Sequence, residues 1–173
     1  NLNASTDVAK GTLTITGYGN YQGSVTYNYE IVPASLSKAT IVPINNSVYT
    51  GNAIVPVVTV KNGDQVIPSA YYDVKYKNNV KTGKATVTVT GKGNYSGTKS
   101  TTFKILPTQV SNLKQTSATN TSVKLSWSKN PSGQAVSGYY IYKVDTKRNR
   151  YTKIGSTTKN YFTVSKLKAG SNW

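Results

Sequence analysis

The 173-residue sequence has no cysteine, no histidine and no methionine, and its only acidic residues are Asp7, Glu30, Asp64, Asp73 and Asp145. Each absence removes a class of chemistry. Without cysteine there is no disulfide framework and no thiolate nucleophile; a reducing cytoplasm and a Gram-positive exterior are both compatible with that. Without histidine, no imidazole exchanges a proton near neutral pH or ligates a transition metal. The carboxylates remain, but Asp64 follows Asn62-Gly63 in an expected turn and Glu30 stands inside an alternating strand, so spacing suggests no acid–base pair. No catalytic residue, cofactor or metal is expected. No apolar run is long enough to span a bilayer, and no signal peptide is visible. The chain lacks an initiating methionine and starts inside a repeat, so it reads as an internal piece of a longer protein.

Lysine, by contrast, is plentiful: 21 Lys+Arg give a formal net charge of +16. A nucleic-acid binder concentrates Arg and Lys in a patch interleaved with aromatics. Here Lys75, Lys77, Lys81, Lys84, Lys92, Lys99 and Lys104 are spread along strands and turns, the pattern of a solvated outer face. No specific nucleic-acid partner is expected, while attraction to a polyanion such as a cell-wall polymer or acidic glycan stays open. Salt would weaken such binding steeply.

The strand signals are local and regular. Thr86-Val87-Thr88-Val89-Thr90 alternates β-branched residues, with Val87 and Val89 on one side, and Thr98 to Ile105 alternates again with Phe103 and Ile105 inward, until Pro107 stops it. Between them lies TGKGNYSGT (90–98), and 74 residues earlier TGYGNYQGS (16–24) occupies the same place between Thr12–Thr16 and Val25–Ile31. Residues 11–33 superpose on 85–107 without a gap, which signals tandem β-modules. A complete unit runs over 34–106, with expected strands at Leu36–Ile41, Ser47–Gly51, Val55–Val60 and Tyr71–Tyr76. Asn62-Gly63 is read as a hairpin turn with positive φ at both positions, and Asn78-Asn79 as a further turn. No segment has sustained helical periodicity, and short strands with turns every eight to twelve residues predict an all-β sandwich. Residues 1–33 form only the second half of such a unit, with 1–10 corresponding to 75–84. The strands expected before them are missing, which leaves an apolar face to be covered by something else.

After Pro107 the pattern changes. Val123, Leu125 and Trp127 share one face, Tyr139 and Ile141 share another against Tyr140 and Tyr142, and short strands follow at Tyr151–Gly155 and Phe162–Leu167. With the early Pro107, the Trp127 that ends the second strand, the Gly138-Tyr139-x-Ile141 stretch and Leu167-Lys168-Ala169-Gly170-Ser171-Asn172-Trp173, residues 107–173 resemble a fibronectin type III domain. In the last signature Ala, Ser and Trp replace the family's Pro, Thr and Tyr. The resemblance implies two further strands beyond Trp173. The unit at 34–106 is similar to bacterial immunoglobulin-like repeats of Gram-positive surface proteins, on Tyr49-Thr50-Gly51, Tyr72-Asp73-Val74-x-Tyr76-x-Asn78-Asn79 and the run from Gly83 to Gly97. Together these resemblances imply tandem immunoglobulin-like β-sandwiches, the last fibronectin type III-like: half a repeat over 1–33, a complete repeat over 34–106, and a fibronectin type III-like domain lacking its last strands over 107–173. They imply a secreted or cell-wall-associated spacer, stalk or adhesion module whose partners are neighbouring domains of a parent protein. The alternative is a carbohydrate- or polyanion-binding accessory module of a polysaccharide- or wall-degrading enzyme.

Two motifs invite sharper readings. The glycines of 91–97 read Gly-x-Gly-x-x-x-Gly and lead into a strand, whereas a dinucleotide loop reads Gly-x-Gly-x-x-Gly and opens a helix, so they are assigned to turn geometry, with Tyr95 packing back over the turn. Among the 14 tyrosines, Tyr72, Tyr76 and Tyr139 are expected in or near the core, and Tyr18, Tyr140, Tyr142 and Tyr151 are the exposed candidates for stacking on a glycan. No spacing singles out a Lys–Asn–acid trio for an intramolecular cross-link. The Asn-x-Ser/Thr triplets at Asn3, Asn45, Asn94 and Asn120 read as turns and strand ends.

Overall fold

The structure, a computed structural model, describes residues 9–168, so expectations that fall on 1–8, and most of the signature at 167–173, lie outside the described residues. The fold is all-β. The chain divides into two compact units: one comprises 1–45, 55–79 and 84–103, the other 46–54, 80–83 and 104–173.

In the first unit, β1 (Ala9–Thr16) and β2 (Ser24–Ile31) form an antiparallel hairpin in register from Ala9↔Ile31 to Thr16↔Ser24. The chain continues through β3 (Ala34–Ser35) and β4 (Thr40–Ile41). β5 (Ser47–Val48) belongs to the second unit, and β6 (Val60–Asn62), β7 (Gln65–Val66), β8 (Tyr72–Lys77), β9 (Gly83–Gly91), β10 (Tyr95–Ser96) and β11 (Thr98–Leu106) follow. One layer places β9 between β11 and antiparallel β8; the other is the small sheet β4-β6-β7. The alternation read from 86–90 is realised, since Ala85, Val87 and Val89 are fully buried. With Leu36, Ile41, Val58, Val60, Ile67 and Phe103 they form the core.

Four local expectations are corrected. Leu36 opens a single 3-10 turn, Leu36–Lys38, because the Ser35 hydroxyl accepts from Ser37 N at 3.2 Å and caps it, leaving only Thr40–Ile41 as strand. Of Ser47–Gly51, only Ser47–Val48 is strand. Val55–Thr59 joins no ladder and Val60 begins the strand; Pro56 has no N–H to give. Thr59 O still accepts from Val42 N at 2.9 Å, and two carbonyls before it are met by tyrosines: Tyr72 Oη donates to Val58 O at 3.0 Å and Tyr76 Oη to Pro56 O at 2.5 Å. The hairpin turn lies one residue later than expected, since Asn62 pairs with Gln65 and Gly63, at φ 60°, is the one residue of the turn in the left-handed region. Glycine at the first central position is the requirement of a type II′ turn.

In the second unit, Ile105 and Leu106, the end of β11, pair in parallel with Ser47 and Val48 of β5. Beyond Pro107, β12 (Lys114–Ala118), β13 (Val123–Ser126) and the later β16 make one sheet; β14 (Tyr139–Asp145) and β15 (Arg150–Thr157) make a second, two-stranded ribbon. β16 is Tyr161–Val164 and pairs with β13 from Val123↔Val164 to Ser126↔Tyr161. Trp127 is buried just past the end of β13 and meets the Tyr139 ring edge-on at 5.0 Å. Gln134, buried at 3% exposure, ties the start of this region together: its Oε1 accepts from Thr108 N at 3.0 Å and Asn130 Nδ2 at 2.9 Å. Tyr139 Oη donates to Asn130 Oδ1 at 3.0 Å and extends the network.

Candidate functional site

Side chains in a strand alternate between faces, so Tyr139 and Ile141 turn inward and Tyr140, Tyr142 and Val144 turn outward from β14. Opposite them on β15 stand Ser156, Lys153 and Tyr151, in the pairs Tyr140↔Ser156, Tyr142↔Lys153 and Val144↔Tyr151. Directly opposed residues share a face of the ribbon, which gathers Tyr140, Tyr142 and Tyr151 on one surface. They are 66%, 49% and 64% exposed. The register shifts between Ile141 and Tyr142, leaving Ile154 as the extra residue and bringing Lys153 diagonally toward Tyr140. Lys153 Nζ sits 3.6 Å from the Tyr140 ring centroid, a close cation–π contact. The ribbon's turn adds cations: Asp145 Oδ1 accepts from the backbone N–H of Lys147 and Arg148, and Arg150 opens β15.

Three of the four tyrosines expected to be exposed therefore stand together. Tyr18 does not join them; it belongs to the first unit, in the turn after β1, and is 94% exposed. Lys153 was not anticipated, because its place depends on the shifted register. The Gly155 beside it, a glycine inside a strand, was the available signal. A second tyrosine–lysine group also went unanticipated: the Tyr161 ring has Lys124 Nζ at 4.7 Å and Lys159 Nζ at 5.3 Å. A hydrogen bond from Lys159 lowers the pKa of the Tyr161 hydroxyl and raises that of Lys159. Between the sheets of this unit lies a cleft of about 530 Å³ lined by Leu113, Leu125, Trp127, Tyr139 and Ile141. Trp127 Nε1 is buried there without a hydrogen-bond partner among the described residues.

The described carboxylates stand in separate places. Glu30 lies 3.7 Å from Lys10, Asp73 2.6 Å from Lys92, Asp145 organises its turn, and Asp64 occupies the β6–β7 turn. Among the described residues no three His, Cys, Asp or Glu side chains gather as a metal site, and no helix is long and apolar enough to cross a membrane. The glycines at 91–97 span two antiparallel strands: Gly91 N donates to Gly97 O at 2.9 Å, and the Tyr95 ring packs at 5.9 Å from Tyr71.

Residues 107–173 match the family of the fibronectin type III domain. No curated protein matches the chain. Nine solved chains match; among them is the crystal structure of domains A168–A170 from titin, 18% identical, with 94% of this chain and 65% of that chain covered at a TM-score of 0.34. The chain thus spans just under two-thirds of the length of that titin structure. Its fold is all-β with a fibronectin type III match in its last part, an architecture that is typically non-catalytic and typically one module among several.

Proposed function

We propose that the chain is a non-catalytic spacer or adhesion module of a secreted or cell-wall-anchored bacterial protein, holding a functional domain that lies outside these residues. The carrying observation is what the acids among the described residues do. Glu30, Asp73 and Asp145 serve surface ion pairs and a turn, Asp64 serves another turn, and no histidine or thiol is there to act with them. The repeat read at 34–106 and the fibronectin type III match at 107–173 supply the β-modules such a spacer needs. Incubating the full chain with peptidoglycan and a panel of polysaccharides tests the reading: no product is expected. Turnover that disappears in Asp73→Asn or Glu30→Gln would contradict it.

The tyrosine face of the β14–β15 ribbon favours a second reading, in which the module also grips a glycan as an accessory of a polysaccharide- or wall-degrading enzyme. Exposed rings offer apolar faces to pyranose rings, and Lys153 with the neighbouring arginines favours sugars that carry acid groups. Affinity electrophoresis separates the cases, with retardation expected in gels containing an acidic polysaccharide and lost in Tyr140→Ala and Tyr151→Ala. Unchanged mobility in every gel removes this reading and leaves the spacer standing.

A further inference from the structure

The β1–β2 hairpin has two unlike faces. One is polar: Lys10 opposes Glu30, and Thr12–Asn28, Thr14–Thr26 and Thr16–Ser24 are hydrogen-bonded at 3.0, 3.2 and 2.9 Å. The other sets Gly11 opposite Tyr29, Leu13 opposite Tyr27 and Ile15 opposite Val25. Its residues are in solvent, with Ile15 67%, Val25 71% and Tyr27 69% exposed. A lone two-stranded ribbon is marginal in water, and a contiguous exposed apolar patch marks an interaction surface.

The same chain contains the covered version of this face. Moved by the repeat, Leu13, Ile15 and Tyr29 fall on Val87, Val89 and Phe103, which are 0%, 0% and 2% exposed. The two hairpins share their backbone detail: Gly17 N donates to Gly23 O as Gly91 N donates to Gly97 O, both at 2.9 Å. Thr14 bonds Thr26 across the strands as Thr88 bonds Ser100, at 3.2 and 3.0 Å. What covers the second hairpin is the first half of its own repeat, through Leu36, Ile41, Val58, Val60 and Ile67. The interface is thus already built once within the chain, and β1–β2 presents the same apolar stripe on the same backbone.

We propose that the apolar face of β1–β2 is the docking surface for the first half of an immunoglobulin-like repeat, a segment of the 34–74 type, whose apolar side chains seat on Leu13, Ile15, Tyr27 and Tyr29. The fit differs at two positions near the turn. In the complete repeat Lys99 Nζ donates to Ser37 O at 2.9 Å, whereas the equivalent position of the hairpin is Val25. Tyr27 likewise stands where the repeat has Thr101. Val25 and Tyr27 thus widen the apolar face near the turn relative to the same face of the repeat.

The test places a copy of residues 34–74 directly ahead of Asn1 in the full chain, so that the copy meets the hairpin in the repeat's own register. Hydrogen exchange of 12–15 and 25–29 is followed together with binding of a dye for exposed apolar surface. Exchange is expected to slow at least ten-fold and dye binding to fall. Both effects should vanish when the copy alone carries Ile41→Asp and Val60→Asp, with 84–103 of the native repeat still protected. Unchanged exchange at the hairpin in the unsubstituted fusion, beside a protected native repeat, overturns the proposal. So does concentration-dependent protection of the hairpin in the unmodified chain accompanied by a dimer in sedimentation, because a second copy would then be the occupant.

Discussion

Tyr72 and Tyr76 stand on one face of β8, four residues apart, and send their hydroxyls to the carbonyls of Val58 and Pro56. Those carbonyls belong to a stretch outside every ladder, so the two hydroxyls replace bonds that a strand would have made. Tyr72 is buried and its bond is enclosed. Tyr72→Phe leaves the Val58 carbonyl without a donor and should cost about 1–3 kcal/mol, read from the midpoint of urea unfolding. Tyr76→Phe, at a half-buried site, should cost less. Burial first, and the charge of ionised Tyr72 second, push the Tyr76 hydroxyl above its ordinary pKa. Its contribution is therefore present below the unfolded-state value near 10 and is lost as pH rises through the raised one. Ultraviolet titration of tyrosine ionisation should show a late-titrating group that is missing in Tyr76→Phe. The exposure of Tyr140 and Tyr142 was legible in the sequence, because alternation against Tyr139 and Ile141 assigns the outer face. The roles of Lys153 and Gln134 were not. The first depends on a register shift at Ile154, and the second sits in a single 3-10 turn whose partners Thr108 and Asn130 are brought together by the fold.

At the scale of elements, the glycine clusters are chain reversals with tight backbone approach. A Cβ at Gly91 would lie 2.8 Å from the backbone of Tyr95 and Ser96, and one at Gly17 2.9 Å from that of Tyr21. Backbone cannot swing aside as a side-chain tip can, so Gly91→Ala should destabilise the first unit by about 1–3 kcal/mol. Gly17→Ala should disturb only the β1–β2 turn and leave thermal unfolding of the core nearly unchanged; differential scanning calorimetry on both variants checks the contrast. The long strands β9 and β11 were readable because Val87, Val89, Phe103 and Ile105 repeat every second residue. The short ones were not. Val55–Thr59 looks like a strand by composition, yet Pro56 and the reach of two tyrosines from β8 decide its state. Asn62-Gly63 signalled a turn correctly, but which residues of Asn62-Gly63-Asp64 occupy its centre follows from the pairing of Asn62 with Gln65.

For the whole molecule, the +16 charge is the dominant long-range property. Exposed ion pairs such as Lys92–Asp73 contribute little to stability, about 0–1 kcal/mol each, but the unbalanced lysines set up a field that draws polyanions. If the ribbon of β14 and β15 grips acidic glycans, raising salt from low to physiological strength should weaken binding by about ten-fold, whereas a neutral polysaccharide should show no such dependence. The central proposal, that these residues act as a load-bearing spacer without chemistry of their own, is tested most directly by pulling the full chain by its ends in a single-molecule force experiment. The expected trace contains at least one discrete unfolding event in which a folded unit resists and then releases its length, about 3.4 Å for each residue freed. A smooth extension with no resisting event would contradict it.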